Sequence, residues 1–271
     1  MLPLRDANPT RRAPVVTLLI IAANVAAFLL WQPTFASGQR GQLEQQTFFW
    51  CHAAIPFEVS HQTTLVEGGT AARRAIDRSY EPGFPLQPYL RRECPTKSWF
   101  ESVFVAMFLH GGWLHIIGNM LFLWVFGNNV EDRLGAIAYL LFYLAGGVAA
   151  FALQLLLDPN SAIPTLGASG AIAAVLGAYI VAYPRARVLT LVIFFFITVT
   201  ELPAYLVLGI WFVLQLFNGV GEIGTDVNGG VAYWAHVGGF AFGLLVGLLF
   251  LRRSRRGGID LGPVPPPPIP L

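Results

Sequence analysis

The apolar residues of this chain fall in long blocks rather than on alternating faces. Residues 15–31 form a 17-residue apolar run interrupted only by Thr17 and Asn24, at the lower limit of the roughly 17–25 residues that span a bilayer. Residues 32–98 are polar, mixing charges, prolines and glycines. Residues 99–110 are apolar again, and Gly111-Gly112 separates them from further blocks at 113–129 and 135–157. A short polar loop at 158–166 carries two prolines. The run 169–183 ends at Pro184-Arg185-Ala186-Arg187. Residues 188–218 are apolar but broken by Glu201 and Pro203, 219–230 are glycine-rich, and 231–251 form the last block.

Arginine clusters close to helix ends favour the cytoplasmic side. Arg11-Arg12, Arg185/Arg187 and the 252–256 cluster therefore share one side, which requires six spans. One helix then lies between Arg187 and Gly219, at 203–218, and 188–200 form a connector lying against the bundle on the cytoplasmic side. The 32–98 segment faces outward, because loops longer than about 60 residues translocate largely regardless of charge. The expectation is an all-α membrane protein: a six-helix bundle with a long first extracytoplasmic loop. Its parts are a cytoplasmic N-terminus (1–14), a first transmembrane helix (15–31), the loop (32–98), a helical core (99–251), and a basic, proline-rich cytoplasmic tail (252–271). That makes it a multi-pass protein of the cell membrane with both termini cytoplasmic. The first run follows basic residues, as a signal peptide would, but no small-x-small cleavage site precedes Pro33, which favours a retained helix.

Composition agrees. Hydrophobic residues are 55% and charged residues 12% of the 271, against about 25% charged in soluble domains. A net charge of +2, held in loops, excludes nucleic acid as a partner. The partner implied is the lipid bilayer. No metal-ligand spacing or phosphate-cradling loop is present, so neither metal nor cofactor is expected.

Two ionisable or nucleophilic groups lie where hydrocarbon should be, and an intramembrane polar group is a functional-site hypothesis by default. Ser169, in Gly167-Ala168-Ser169-Gly170, opens a run of 15 residues covering roughly 22 Å. With its Pro184 end at the cytoplasmic face of a core about 30 Å thick, Ser169 starts about 8 Å below the outer face. His236, in Ala235-His236-Val237-Gly238-Gly239 and five residues into the last block, lies at the same depth, about 8 Å. Ser169, Ala173 and Gly177 form one small-residue ladder; His236 shares a face with Gly239 and Gly243, with Gly247 beyond. Such faces let helices pack backbone to backbone, which a short serine needs to meet an imidazole. The same glycines also serve ordinary packing. His115 and Asn119, four apart, share a helix face and supply donors for an oxyanion, with the Ser169 N–H as a third. His110 and His115, five apart, splay and form no helical metal pair. No acidic residue matches the depth of His236, so a Ser–His dyad is the economical reading. A channel or haem carrier using His115 and His236 as ligands would leave Gly167-Ala168-Ser169-Gly170 unexplained.

Together these strings resemble the three signature segments of the rhomboid family of intramembrane serine proteases, of the bacterial type: His110-Gly111-Gly112-Trp113-Leu114-His115 with Asn119, then Gly167-Ala168-Ser169-Gly170, then Ala235-His236-Val237-Gly238-Gly239. The resemblance covers residues 99–251. It implies cleavage of transmembrane segments of other proteins, with Ser169 as nucleophile, His236 as general base, and His115, Asn119 and the Ser169 N–H as oxyanion hole. His110, Gly167, Gly170 and Gly239 support the site, and Glu131 and Arg133 match a structural turn. The alternative within the family is a catalytically inactive factor that binds membrane proteins. Two features depart from the pattern. Trp99 is followed by Phe100 rather than arginine, and the position four after the serine, aromatic in some members, is Ala173. Support for His236 then falls to Tyr233 or Trp234.

Cys51 and Cys94 both lie in the outward segment, where disulfides persist, and no other cysteine competes. The segment lacks a large apolar core, and closing a loop of about 44 residues contributes roughly 4 kcal/mol in the chain-entropy model. The expectation is a bridge; the alternative is two free thiols more than about 7 Å apart.

Overall fold

The structure, a computed structural model, describes residues 1–80, 86–193, 197–222 and 231–251. The arginine cluster and proline-rich tail at 252–271, and most of the glycine-rich 219–230 stretch, lie outside the described residues. The described chain is mostly helical. A short strand, β1 (Leu2–Asp6), precedes α1 (Val15–Ala26), which continues as a π-helical turn through Ala27–Trp31. Four helices follow: α2 (Gly38–His52), α3 (Pro56–His61), α4 (Gly69–Ser79) and α5 (Leu86–Glu93). Next come α6 (Trp99–Val105), α7 (Trp113–Leu134), α8 (Ala136–Leu157) and α9 (Ser169–Ala182). Strands β2 (Arg187–Ile193) and β3 (Ile197–Pro203) lead into α10 (Ala204–Glu222) and α11 (Tyr233–Val246).

Among the described residues, three helices are long and apolar enough to cross a membrane: Ala136–Leu157, Ala204–Gly221 and Tyr233–Leu251. A fourth candidate is the broken pair Trp99–Phe108 and Trp113–Leu134, bent by 78° at the Gly111-Gly112 interruption. This is a multi-pass membrane protein. Val15–Trp31 and Ser169–Ala182 are apolar but shorter. At its centre stands α9, where every residue from Gly170 to Tyr179 is buried. A helix apolar on all faces is stable only when neighbours cover it all round, and α7, α8 and α11 do so.

The chain is not all-α. Residues 188–193 and 197–200, within the stretch expected as a connector, belong to a three-stranded antiparallel sheet in the order β1-β2-β3. The segment is rich in valine, isoleucine and threonine, whose branched Cβ suits a pleated strand. Buried Val188 and Thr190 point inward from β2, and β1, from the nominally polar N-terminus, completes the sheet from Leu2 opposite Leu191 to Asp6 opposite Val188.

Buried polar side chains tie this end of the bundle together. The Glu131 carboxylate, 4% exposed, accepts the N–H groups of Val16 (2.9 Å) and Thr17 (2.8 Å) and the Thr17 hydroxyl (2.7 Å). A carboxylate there satisfies the open N–H groups of α1 and opposes its dipole. Arg133 donates to the Leu251 carbonyl at 2.9 Å, the corresponding cation at a helix C-terminus. The Asp6 carboxylate accepts from Asn129 Nδ2 (2.7 Å) and the Tyr179 hydroxyl (2.8 Å); burial holds its pKa above the ordinary carboxylate range.

At the other end, α2 to α5 enclose a core of their own, built on Trp50, Ile55, Phe57, Leu65, Ile76 and Leu86. This corrects the expectation of a segment without an apolar centre. Cys51 and Cys94 are disulfide-bonded, with Cα atoms 5.2 Å apart. Beside them the Lys97 ammonium meets the Glu58 carboxylate at 2.6 Å, the side chains 4% and 2% exposed, and donates to the Trp50 carbonyl at 2.7 Å. Glu58 also accepts the Leu65 N–H at 2.9 Å. Burial pushes the Glu58 carboxyl above its usual range and the Lys97 ammonium below its own, while their contact pulls both back. Removing one partner leaves the other buried without compensation: Lys97→Met is expected to destabilise the protein by about 3–5 kcal/mol. The double variant Lys97→Met/Glu58→Gln should recover most of that loss in thermal unfolding; equal losses in both would refute the coupling.

Candidate active site

Ser169 is the first residue of α9, so its N–H and those just after it have no partner within the helix. The segment delivering it is held along its length by the α2–α5 unit and α6. Ser161 accepts the Phe57 N–H at 2.9 Å, the Ala162 N–H donates to the Ser79 hydroxyl at 2.9 Å, and the Thr165 N–H donates to the Ala54 carbonyl at 2.7 Å. The Gly167 N–H donates to the Ala106 carbonyl at 2.8 Å. Gly167 has φ +122°, a backbone region L side chains rarely adopt, and a Cβ there would lie 2.9 Å from the His115 ring and 3.4 Å from Ser169 Oγ. His115 therefore lies directly over the chain beside the serine.

On α11, His236 Nε2 lies 2.8 Å from Ser169 Oγ. The approach depends on glycine. A Cβ on Gly239 would fall on the Gly170 carbonyl oxygen, one on Gly243 on the Ala174 carbonyl oxygen, and one on Gly177 on the Phe240 carbonyl oxygen. Gly170 in turn packs against Ala150 of α8. Helices α9 and α11 thus touch backbone to backbone along the two ladders read from the sequence.

Two donors complete the first ring of groups. The Gly111 N–H donates to His115 Nδ1 at 3.2 Å, which leaves the proton of a neutral ring on Nε2. Asn119 is buried, and its Nδ2 has no hydrogen-bond partner among the described residues. It lies one turn beyond His115 on α7. His110 is fully buried and its ring meets His115 edge-on at 5.1 Å. Its backbone is pinned both ways by Gln32, which donates to the His110 carbonyl and accepts its N–H, each at 2.9 Å. A cavity of about 40 Å³ opens beside Ser169, lined by Met107, Gly147, Ala150, Gly167, Gly170 and Ala235 among others.

The support for His236 differs from the expectation. Ala173 leaves no ring on α9, Tyr233 meets the imidazole only edge-on at 6.5 Å, and Trp234 packs by Gly219 instead. The partners come from α10. Gln215 Oε1 lies 2.7 Å from His236 Nδ1, and the Trp211 ring is centred 5.8 Å away. The available signal was an amide in the middle of an apolar run, where polar side chains are costly.

A serine and a histidine so arranged can transfer a proton, and the flanking N–H groups can bind an oxyanion. Residues 97–253, more than half the chain, match the Rhomboid domain. The chain belongs to the rhomboid family. Among similar proteins, "Rhomboid protein 1, mitochondrial" of Saccharomyces cerevisiae is 29% identical over 167 residues, covering 60% of this chain and 45% of the relative. "RHOMBOID-like protein 1" of Arabidopsis thaliana is 32% identical over 155 residues, 57% and 36% of the two chains. "Rhomboid-like protease 5" of Toxoplasma gondii is 31% identical over 160 residues, 54% and 16%. This chain spans less than half the length of these relatives. All three are eukaryotic, so they lend no support to a bacterial subtype.

The close approach of α9 and α11 is testable. Gly239→Ala is expected to force the helices apart, destabilising the protein by about 1–3 kcal/mol, as overpacking does, and lengthening the Ser169–His236 contact. Gly209, whose Cβ would meet nothing within 4 Å, is the control: Gly209→Ala should leave the thermal midpoint unchanged or slightly raised. Equal behaviour of the two variants would contradict the packing account.

Proposed function

We propose that this rhomboid protein is an intramembrane serine endopeptidase that cleaves transmembrane segments of other membrane proteins by a Ser169–His236 dyad. The observation that carries the reading is the 2.8 Å contact between Ser169 Oγ and His236 Nε2, made between two apolar helices beside unpaired N–H donors. In the reaction Ser169 Oγ attacks the scissile carbonyl carbon while His236 Nε2 takes its proton. The oxyanion that forms is held by His115 Nε2–H, Asn119 Nδ2–H and the Ser169 N–H. Collapse breaks the C–N bond, with the imidazolium returning the proton to the leaving amine. Water, activated by the same histidine, then releases the acyl-serine.

The small cavity beside Ser169 suits a substrate with a small residue at the cut; about 40 Å³ admits only a few heavy atoms. A carbonyl within an intact helix is hydrogen-bonded and shielded, so glycine or proline just after the cut favours the local unwinding that attack requires. The expected arrangement has six spans, adding Val15–Trp31 and Ser169–Ala182 to the longer helices, in the cell membrane with both termini cytoplasmic. The α2–α5 unit then faces outward, and 99–251 form the catalytic core. Location in an oxidising compartment suits the Cys51–Cys94 bridge.

Purified Ser169→Ala and His236→Ala are each expected to lose cleavage of a transmembrane substrate while keeping the wild-type thermal midpoint. Asn119→Ala should lower kcat by up to about 10²–10³-fold, the range for one oxyanion donor. Near-normal turnover by either dyad variant would falsify the mechanism. For the orientation, intact-mass measurement after alkylation of unreduced protein from membranes should show no labelled thiol. Two labelled thiols would contradict both the bridge and the outward placement.

A further inference from the structure

The geometry points to Gln215 as the positioning residue that selects the reactive tautomer of His236, in the place an anionic carboxylate takes in soluble serine proteases. This deepens, and rests on, the dyad reading above. To accept the Ser169 proton at Nε2, a neutral imidazole must carry its own proton on Nδ1. An Nδ1–H in an apolar interior needs an acceptor, because a buried donor left unmet carries its full desolvation penalty. Gln215 Oε1, at 2.7 Å, is that acceptor. An amide oxygen only accepts, so the contact selects the Nδ1–H tautomer and leaves the Nε2 lone pair facing Ser169.

The second restraint comes from the same helix face. Trp211, one turn before Gln215 on α10, sets its ring 5.8 Å from the imidazole at an interplanar angle of 41°. On α9, Ala173, four residues after the serine, fits under Gly239 and has no ring to hold the histidine. Both restraints on His236 outside α11 and Ser169 therefore belong to α10. A glutamine suits the location because it orients by a dipole and brings no buried charge, whereas an unpaired carboxylate among apolar helices is strongly disfavoured. When His236 takes the serine proton, the same carbonyl dipole faces the new imidazolium, and no proton passes to Gln215. Among the described residues, the histidine is the partner that accounts for this polar side chain on an otherwise apolar helix.

The test compares wild type, Gln215→Met and Gln215→Glu, using kcat and KM on one transmembrane substrate and nitrogen NMR of histidine-labelled protein. The His236 signal is identified among five histidines by its loss in His236→Ala. Gln215→Met keeps the length of the side chain and removes the oxygen. It is expected to lower kcat by about 10–100-fold, the range for lost orienting partners, with KM little changed and the His236 signal shifted from Nδ1–H to a tautomer mixture. Gln215→Glu, which offers an oxygen acceptor at the same reach, should recover most of kcat and the Nδ1–H signal. Wild-type kcat in Gln215→Met, or persistence of the Nδ1–H tautomer in it, overturns the assignment. If Gln215→Met does not fold, Gln215→Asn, one methylene short of the ring, gives the same readouts. Should the wild-type protein neither cleave nor react at Ser169 with a fluorophosphonate, the protease reading fails; the tautomer comparison still decides the role of Gln215.

Discussion

Everything at the candidate site depends on two helices coming into backbone contact. A serine hydroxyl reaches only a short way from its helix axis, and an ordinary leucine-lined helix pair stands about 8–10 Å apart. Gly239, Gly243 and Gly177 remove the side chains that would keep α9 and α11 at that distance; in each case a Cβ would land on the facing helix's backbone. In an apolar solvent there is little hydrophobic gain from bringing helices together, so close van der Waals contact is the available source of association. The same contact that stabilises the pair sets the Ser169–His236 distance at 2.8 Å. Packing and chemistry are here one interaction.

Buried polar groups near the two ends of the bundle serve different tasks. Far from Ser169, Glu131 caps α1, Arg133 caps the end of the last helix, and Asp6 joins the N-terminal strand to α7 and α9. Each buried charge meets helix-end or side-chain partners, as low-dielectric surroundings demand. The Asp6–Tyr179 contact ties the far part of α9 to the N-terminal strand. Around Ser169 lie open helix-start N–H groups and an Asn119 amide without a partner among the described residues. The open helix-start N–H groups and the Asn119 amide fit a site that keeps its binding capacity for a reacting group.

The α2–α5 unit adds a second hold. Its own core, disulfide and buried Lys97–Glu58 pair make it a small stable body, and it grips the strand-like segment between α8 and Ser169 by backbone hydrogen bonds at Ser161, Ala162 and Thr165. The approach to the serine is thus fixed from outside the bundle as well as from within it.

The sequence by itself determined the features that depend on local chemistry. Apolar blocks marked α1 and α7 to α11 to within a few residues, because burial of a spanning helix is a property of the block. The serine, the histidine and the small-residue ladders were legible because depth follows from rise per residue and facing follows from helical period. Tertiary structure decided what depends on partners distant in the chain. Residues 187–193 and 197–203 became paired strands because β1, more than 180 residues earlier, offered an edge to pair with; an apolar run with a proline does not state its partner. Helices α2 to α5 acquired a core because helices with few apolar residues each pool them only after docking. Gln215 became the neighbour of His236 because α10 crosses α11 at that turn, and no spacing in the chain records where two helices cross.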